Sequence, residues 1–578
     1  LNYDLSSLLT KGLSVHGSIA YDSYYYSRKK YSKTFPYYLA RRDAEDPDYI
    51  YLIPQSEESI WSVSTGWDKN RKVYMEFGID YNRTFGLHKT TALILYNQSK
   101  YYSPSLQYYV PNAYQGLVGR LTYEYASRYL AEFNMGYNGT ENFAKGKRFG
   151  FFPAVSLGWV ISEEKFFPKN NIVKYLKVRG SYGEVGNDQI GGDRFLYLPS
   201  SYGAASDSGV NKYNFGLASN PYTSLMIVEN KIGNPDLTWE KAKKMNVGVD
   251  INLFNNCLTA SFDIFKEKRN NILANRSTSP MIIGANLPAY NFGEMENRGW
   301  EMDLNFRHHI QDFHYWARFN YSFARNEIIY MDEVQKRYDY QMTTGRRKNQ
   351  FFGLIFDGYY NSWEEINALD RPKSSWSGNQ LQPGDVKYVD VNQDGVIDDY
   401  DMVPIGYTPV PEIIYGFSFG AQYKGFDFSI LFQGADNVSI KYFGRSMWPF
   451  AKGEESAKSL IKERWTQERY EAGEKITFPR LSLNPNGETD HNYRPSTLWI
   501  RDASYLRLKN LEVGYTFTGG FVKRLNLNSV RLYFNGSNLF TWTDVVDLDP
   551  EAPSRSGNVE INTYPLQKVY NIGLNINF

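Results

Sequence analysis

Cysteine is almost missing from this sequence: 578 residues contain one, Cys257. A single thiol excludes an intramolecular disulfide framework and any multi-cysteine zinc or iron–sulfur centre supplied by this chain alone. Charge of one sign is missing too, since 64 Lys and Arg face 63 Asp and Glu. No global field therefore favours nucleic acid or an anionic membrane surface. Apolar runs stay short of the roughly 18 residues of a spanning helix, and mean hydropathy is −0.53. That value does not exclude a membrane barrel, whose strands alternate lipid-facing with lumen-facing residues and so keep mean hydropathy low.

Catalytic signatures are equally sparse. There is no P-loop, dinucleotide fingerprint or H-E-x-x-H spacing. Gly416-Phe417-Ser418-Phe419-Gly420 matches G-x-S-x-G but lies inside an alternating strand and not at a strand-to-helix elbow, which argues against a nucleophile. His308, His309 and His314 surround an expected short turn, where solvated imidazoles are a better reading than a zinc site. The carboxylate pairs Glu57-Glu58 and Glu454-Glu455 read as solvated loop residues, because nothing in the sequence brings them to catalytic separation. No enzyme is expected.

Aromatic residues are abundant: 17% of the chain, with 49 Tyr and 36 Phe. This exceeds what a soluble core needs and suits the interfacial girdles of a membrane barrel. An aromatic-rich secreted adhesin is the rival on composition. Period-two alternation decides the element type. Val247, Val249, Ile251 and Leu253 alternate with Gly248, Asp250 and Asn252. After Asn255-Asn256 the pattern resumes as Leu258, Ala260, Phe262, Ile264. The same strand, turn and strand recur around Lys424-Gly425, from Phe417–Tyr423 to Phe426–Phe432. One hairpin cannot separate a sandwich from a barrel. Loop lengths can: short connections alternate with long ones at about 22–71, 185–242, 266–298, 331–411 and 434–500, the barrel pattern.

The reading gives about 17 strands, at 1–8, 12–22, 72–85, 88–97, 117–125, 128–137, 152–161, 174–184, 243–253, 257–266, 299–307, 315–330, 413–423, 425–433, 503–517, 530–541 and 567–578. The expected fold is all-β: a transmembrane antiparallel barrel wall spanning 1–578. With short turns in the periplasm, first and last strands both run inward, so the chain starts outside the cell. An odd strand number and a start at Leu1 without a signal peptide suggest a fragment of a barrel of about 22 strands. The expectation is about five further strands and a plug upstream, because orphaned strand edges in hydrocarbon are costly.

The final strand alternates Tyr570, Ile572, Leu574, Ile576 and Phe578 with asparagine and glycine. A terminal alternating strand ending in Phe resembles the recognition signal of outer-membrane insertion machinery. Three further segments resemble the SusC/RagA group of TonB-dependent importers: Ile500-Arg501-Asp502-Ala503-Ser504-Tyr505-Leu506-Arg507-Leu508-Lys509-Asn510 continuing as LEVGYTF, Asn538-Leu539-Phe540-Thr541-Trp542, and GDVKYVDVNQDGVIDDYD at 384–401. The resemblance implies an integral outer-membrane importer of glycans or oligopeptides, paired with a SusD-like surface lipoprotein and energised through TonB. The family's plug and TonB-contacting segment have no counterpart here. A siderophore-type TonB-dependent receptor and a secreted calcium-binding adhesin or glycan-active protein are the alternatives.

Within 331–411, expected to be an extracellular loop, residues 390–401 follow calcium-loop spacing. Asp390, Asn392 and Asp394 stand at relative positions 1, 3 and 5, Gly395 at 6, the Val396 carbonyl at 7, and Asp398 and Asp401 at 9 and 12. Asp401 is one methylene shorter than the usual bidentate Glu, and no helix pair flanks the loop. Structural Ca²⁺ and a solvated acidic turn are the two readings, since the clustered carboxylates repel unless screened. The loop tryptophans Trp363, Trp376, Trp448, Trp465 and Trp499 could stack on sugars or pack the loops together. Substrate contacts are not assigned.

Overall fold

The computed structural model describes the chain except residues 1, 7–8, 43–44, 47, 49, 190, 192–193, 200–202, 205–211, 218–221, 229–231, 279–286, 377–380, 444–446, 451–458, 483–489, 547, 552–557 and 560–564. Its centre is one 17-stranded antiparallel sheet in which every strand pairs with its neighbours in the chain. The strands are β1 (Asn2–Asp4), β2 (Leu13–Ser32), β3 (Ser62–Phe85), β4 (His88–Tyr102), β5 (Asn112–Tyr125) and β6 (Tyr129–Thr140). They continue as β7 (Phe149–Val160), β8 (Val173–Asn187), β9 (Glu240–Leu253), β10 (Leu258–Ala274), β11 (Tyr290–Ile310) and β12 (Phe313–Tyr330). The last five are β13 (Ile413–Tyr423), β14 (Phe426–Asp436), β15 (Tyr505–Phe517), β16 (Ser529–Thr543) and β17 (Val569–Asn577). Among the described residues no pairing joins β1 to β17.

All strands read from alternation are present, but several are longer at one end. β2 and β3 stay in register from Leu13 opposite Tyr81 to Ser32 opposite Ser62, well past the expected limits of residues 22 and 72. The β2 extension mixes tyrosine with charge on both faces and the β3 extension is mainly small and polar, so backbone pairing continues where alternation has stopped. β1 is shorter than the expected 1–8, because the Asp4 carboxylate accepts the Ser6 N–H at 2.7 Å and opens a turn.

Connections alternate strictly. One rim carries Gly86-Leu87, Ala126–Arg128, 254–257, Gln311-Asp312 and Lys424-Gly425, with longer links at 5–12, 161–172 and 518–528. Lys424 and Gly425 have φ of 46° and 93°, and Ala126 and Ser127 of 51° and 58°. Two successive left-handed residues match the twist of the flanking strands. The opposite rim carries the long segments 33–61, 188–239, 331–412, 437–504 and 544–568.

One face of the sheet is apolar and uncovered. Val247 is 58% exposed, Ile264 57%, Leu574 57% and Ile572 81%, where a sandwich would have buried the same residues in a core. The other face is polar and cross-linked by ion pairs. That combination resolves the ambiguity of the alternation in favour of a membrane barrel wall. The main hydrophobic core lies outside the sheet, among the long loops.

Candidate functional site

Three long connections, 331–412 after β12, 437–504 after β14 and 544–568 after β16, pack into a tier over one rim. Its core gathers Leu354, Val386, Met447, Trp448, Trp465, Phe478, Tyr493 and Trp499. Tyr493 and Trp499 stack with centroids 5.3 Å apart, and Phe478 meets Trp499 edge-on at 5.4 Å. Trp448, Trp465 and Trp499 therefore weld the loops to each other. Trp376 packs against the same core, with the Arg494 guanidinium 4.0 Å from its ring. Trp363 differs: it opens the short helix α1 (Trp363–Asn367), capped by the Ser362 hydroxyl, and is exposed.

The first half of the 384–401 motif is a bolt between loops. Gly384 has φ 92°, and a Cβ there would lie 2.5 Å from the Trp465 ring. A side chain fits neither the conformation nor the space. Next to it the buried Asp385 pairs with Arg480 at 2.6 Å and accepts from Asn492 Nδ2 at 2.8 Å. Asn492 Oδ1 in turn accepts the Val386 N–H at 2.9 Å. His491 Nε2 lies 2.8 Å from the Val386 carbonyl and its Nδ1 2.9 Å from the Ser374 hydroxyl. Burial pushes the His491 imidazole below its ordinary range, against the opposing pull of the Val386 carbonyl, Asp385 and Asp490. Sequence reasoning missed this node, whose partners are separated by about a hundred residues.

The second half is a tightly wound acidic turn. Asp390 accepts the N–H groups of Gln393 and Gly395, each at 2.8 Å. Asn392 accepts from Asp394 and Asp394 from Val396, each at 2.9 Å. Asp398 accepts the Tyr400 N–H at 2.7 Å. Asp401 is fully buried and accepts from Val391 at 2.8 Å and Asp398 at 2.9 Å. Burial raises the Asp401 carboxyl more than the N–H groups of Asp398, Val391 and Asn392 lower it. Gly395 takes φ 82°, as the spacing required. Among the described residues no group of three or more His, Cys, Asp or Glu side chains is placed to hold a metal ion. The carboxylates are turned toward backbone N–H groups and the loop closes on itself.

A latch joins the tier to the sheet. Arg507, in β15, pairs with Asp549 at 2.5 Å and Glu551 at 3.4 Å, and Lys509 reaches Glu551 at 3.0 Å. The polar face of the sheet has its own links. Arg179 (β8) bridges Asp250 (β9) at 3.1 Å and Asp263 (β10) at 2.7 Å, Arg120 pairs with Glu132 at 2.9 Å, and His16 with Asp80 at 2.6 Å. His309 and His314 stack across the β11–β12 turn at 5.5 Å, exposed to solvent. Ser418 sits in mid-strand opposite Arg318 and Leu431, with no elbow. Glu58 pairs with Lys33; Glu454 and Glu455 lie outside the described residues.

A wall of antiparallel strands, apolar outside and polar within, with tight turns at one rim and packed loops at the other, defines an integral outer-membrane β-barrel. The family model described as TonB dependent receptor-like, beta-barrel matches residues 1–539, and the chain belongs to that family. Its members are transport receptors and not enzymes. TonB-dependent receptor P3 of Formosa agariphila is 28% identical over 479 residues, covering 80% of this chain and 45% of the relative. TonB-dependent receptor SusC of Bacteroides thetaiotaomicron is 28% identical over 477 residues, covering 82% of this chain and 44% of the relative. The chain thus spans less than half the length of these curated relatives. The solved RagAB peptide transporter superposes with a TM-score of 0.71 at 20% identity, covering 98% of this chain and 60% of that one. That likeness establishes the fold.

Proposed function

We propose that this chain forms the wall and outer loop tier of an active importer of oligosaccharides or oligopeptides across the outer membrane. The family match over residues 1–539 carries the reading, together with the likeness to SusC and to a structure named as a peptide transporter. In this reading a SusD-like surface lipoprotein docks on the loop tier and TonB supplies energy. The welded core of Trp448, Trp465 and Trp499 suits a rigid platform for such a partner. The long-loop rim faces outside the cell and the short turns face the periplasm, consistent with the usual asymmetry of such barrels.

The protein purified from its native membrane is expected to bring down a lipoprotein, and its deletion to abolish growth on one class of polymer fragment. Growth loss confined to iron-chelate medium, with no lipoprotein recovered, would overturn the reading in favour of a siderophore receptor. Sidedness has a separate test. Leu369→Cys, at a fully exposed loop position, should react with an impermeant maleimide on intact cells. Native Cys257, in the β9–β10 turn, should react only after permeabilisation; the reverse pattern inverts the topology.

The same proposal gives the 390–401 loop a structural Ca²⁺, held by Asp390, Asn392, Asp394, the Val396 carbonyl, Asp398 and Asp401. The ligand spacing and Gly395 support it. Binding requires Asp390, Asn392, Asp394, Asp398 and the buried Asp401 to turn part of their present N–H contacts toward the ion, so weak affinity is expected, on the order of 0.1–1 mM as in extracellular modules. Calorimetry with Ca²⁺ alone, repeated on Asp390→Asn, tests it; no heat up to about 10 mM, ten times the weak end of that range, would remove the ion from the account.

A further inference from the structure

The outward face of β9–β12 carries charge in an order that the transport reading does not use. Val247, Ile264, Trp300 and Phe323 lie directly opposite one another across the four strands, forming an apolar row. Two residues nearer the long-loop rim, the same face presents Met245, Lys266, Arg298 and Arg325, again in direct register. The row beyond holds Lys243, Lys268, Glu296 and Glu327. Three cations thus face each other with no acid between them, and Lys243 faces Lys268.

Like charges directly opposite destabilise a sheet. Here the acids that pair with Lys243, Lys266, Lys268 and Arg298 stand level with those cations or farther from the apolar band, whereas Glu412 lies level with Ala324, one residue below Arg325. Glu296 holds Lys266 at 2.9 Å, Glu294 holds Lys268 at 2.9 Å, and Glu412 holds Arg325 at 2.8 Å. Two cations are loosely held: Arg298 lies 4.0 Å from Glu327 with its side chain 61% exposed, and Lys243 lies 3.8 Å from Glu184. On β9–β11, ammonium and guanidinium groups are therefore the first polar groups met on leaving the hydrocarbon-facing band.

We propose that this row, centred on Lys266 and Arg298 and flanked by Lys243 and Lys268, is a docking surface for the phosphate headgroups of membrane lipid. Two observations select the occupant. The row is continuous with the lipid-facing band, so acyl chains lying on Val247, Ile264 and Trp300 bring their headgroups to this level. Its charge is also complementary, because guanidinium and ammonium donors make short, strong hydrogen bonds to phosphate oxygens. The leaflet is the outer one only if the sidedness proposed above holds; the binding itself does not depend on it.

The test uses the protein extracted from its native membrane and placed in phosphatidylcholine nanodiscs containing a bis-phosphorylated glycolipid or its dephosphorylated form. Both leaflets are then alike, so sidedness cannot affect the result, and the maleimide labelling tests sidedness alone. Native mass spectrometry should show the phosphorylated lipid retained by the unaltered protein and the dephosphorylated form lost. The double variant Lys266→Gln/Arg298→Gln should weaken retention about tenfold or more, as expected for losing two charge-assisted contacts. Lys100→Gln, on the outward face of β4, should leave it unchanged. Should the double variant fail to assemble, Lys243→Gln and Arg298→Gln are read singly, each with a smaller loss. Equal retention of both lipids, or undiminished retention by the variants, overturns the proposal and leaves the cations as ordinary rim charges.

Discussion

Arg507 is 2% exposed and faces two carboxylates that close the 544–568 connection onto β15. Burial raises the Asp549 carboxyl, and the guanidinium of Arg507 with the N–H groups of Leu566 and Glu551 more than reverses this, so it stays charged below the usual carboxylate range. A buried pair of this kind adds little over an apolar replacement of both partners, but removing one leaves the other charged and unpaired, at about 3–5 kcal/mol. Arg507→Met is therefore expected to open the latch while the sheet stays paired. Hydrogen exchange should rise at Glu551 and Leu566 and stay slow at Val513 in mid-strand; unchanged exchange at Glu551 would show that the latch holds nothing. The sequence displayed Arg507 only as part of a familiar run, because both its acids lie more than forty residues away.

At the level of elements, what could be read in the sequence depended on whether the information was local. Every strand of the sheet was legible, since each carries its own alternation, and the turns at Asn255-Asn256 and Lys424-Gly425 carried their own left-handed residues. The upper ends of β2 and β3 were not, because backbone pairing there has no sided pattern to report it. Nor was the loop tier: whether Trp448 and Trp499 stack on sugar or on each other depends on Tyr493 and Phe478, which alternation cannot place. The acidic turn was legible as a turn, though its carboxylates face their own backbone.

The junction of loops 331–412 and 437–504 makes a prediction at this scale. His491 sits between Val386 and Ser374, edge-on to Tyr388 at 5.2 Å, with Asp385, Asp490 and Arg371 as its charged neighbours. Its folded-state pKa is lowered, chiefly by burial. Above about pH 6.5 the ring is neutral in both states and its packing contributes fully. As pH falls from there toward the lower folded value, the open loop takes up a proton first, and stability is lost. Protection of the Val386 and Tyr388 amides should thus decline as pH falls below about 6.5, the ordinary histidine value. His491→Gln should flatten that decline; a decline that survives it would place the titration elsewhere.

For the molecule as a whole, the decisive property is which face of the sheet meets hydrocarbon. Phe262 lies opposite Val249 and Met302 in the row below Ile264, beside the Trp300 ring, and is 40% exposed. In water that exposure would favour aggregation; in a bilayer it is the contact that holds the wall in place. An arginine there would have to draw its charge through the apolar band, costing about 2–4 kcal/mol near the midplane. On the opposite face of β11, Asp303 stands among polar neighbours opposite Ser261 and Asn320, where charge is solvated. Phe262→Arg should therefore cut the folded, heat-modifiable fraction recovered from outer membranes about thirtyfold or more, a size matching a loss of about 2 kcal/mol or more, while Asp303→Lys leaves it near normal. Equal yields from the two variants would mean that both faces meet water, and the barrel assignment would fall with them.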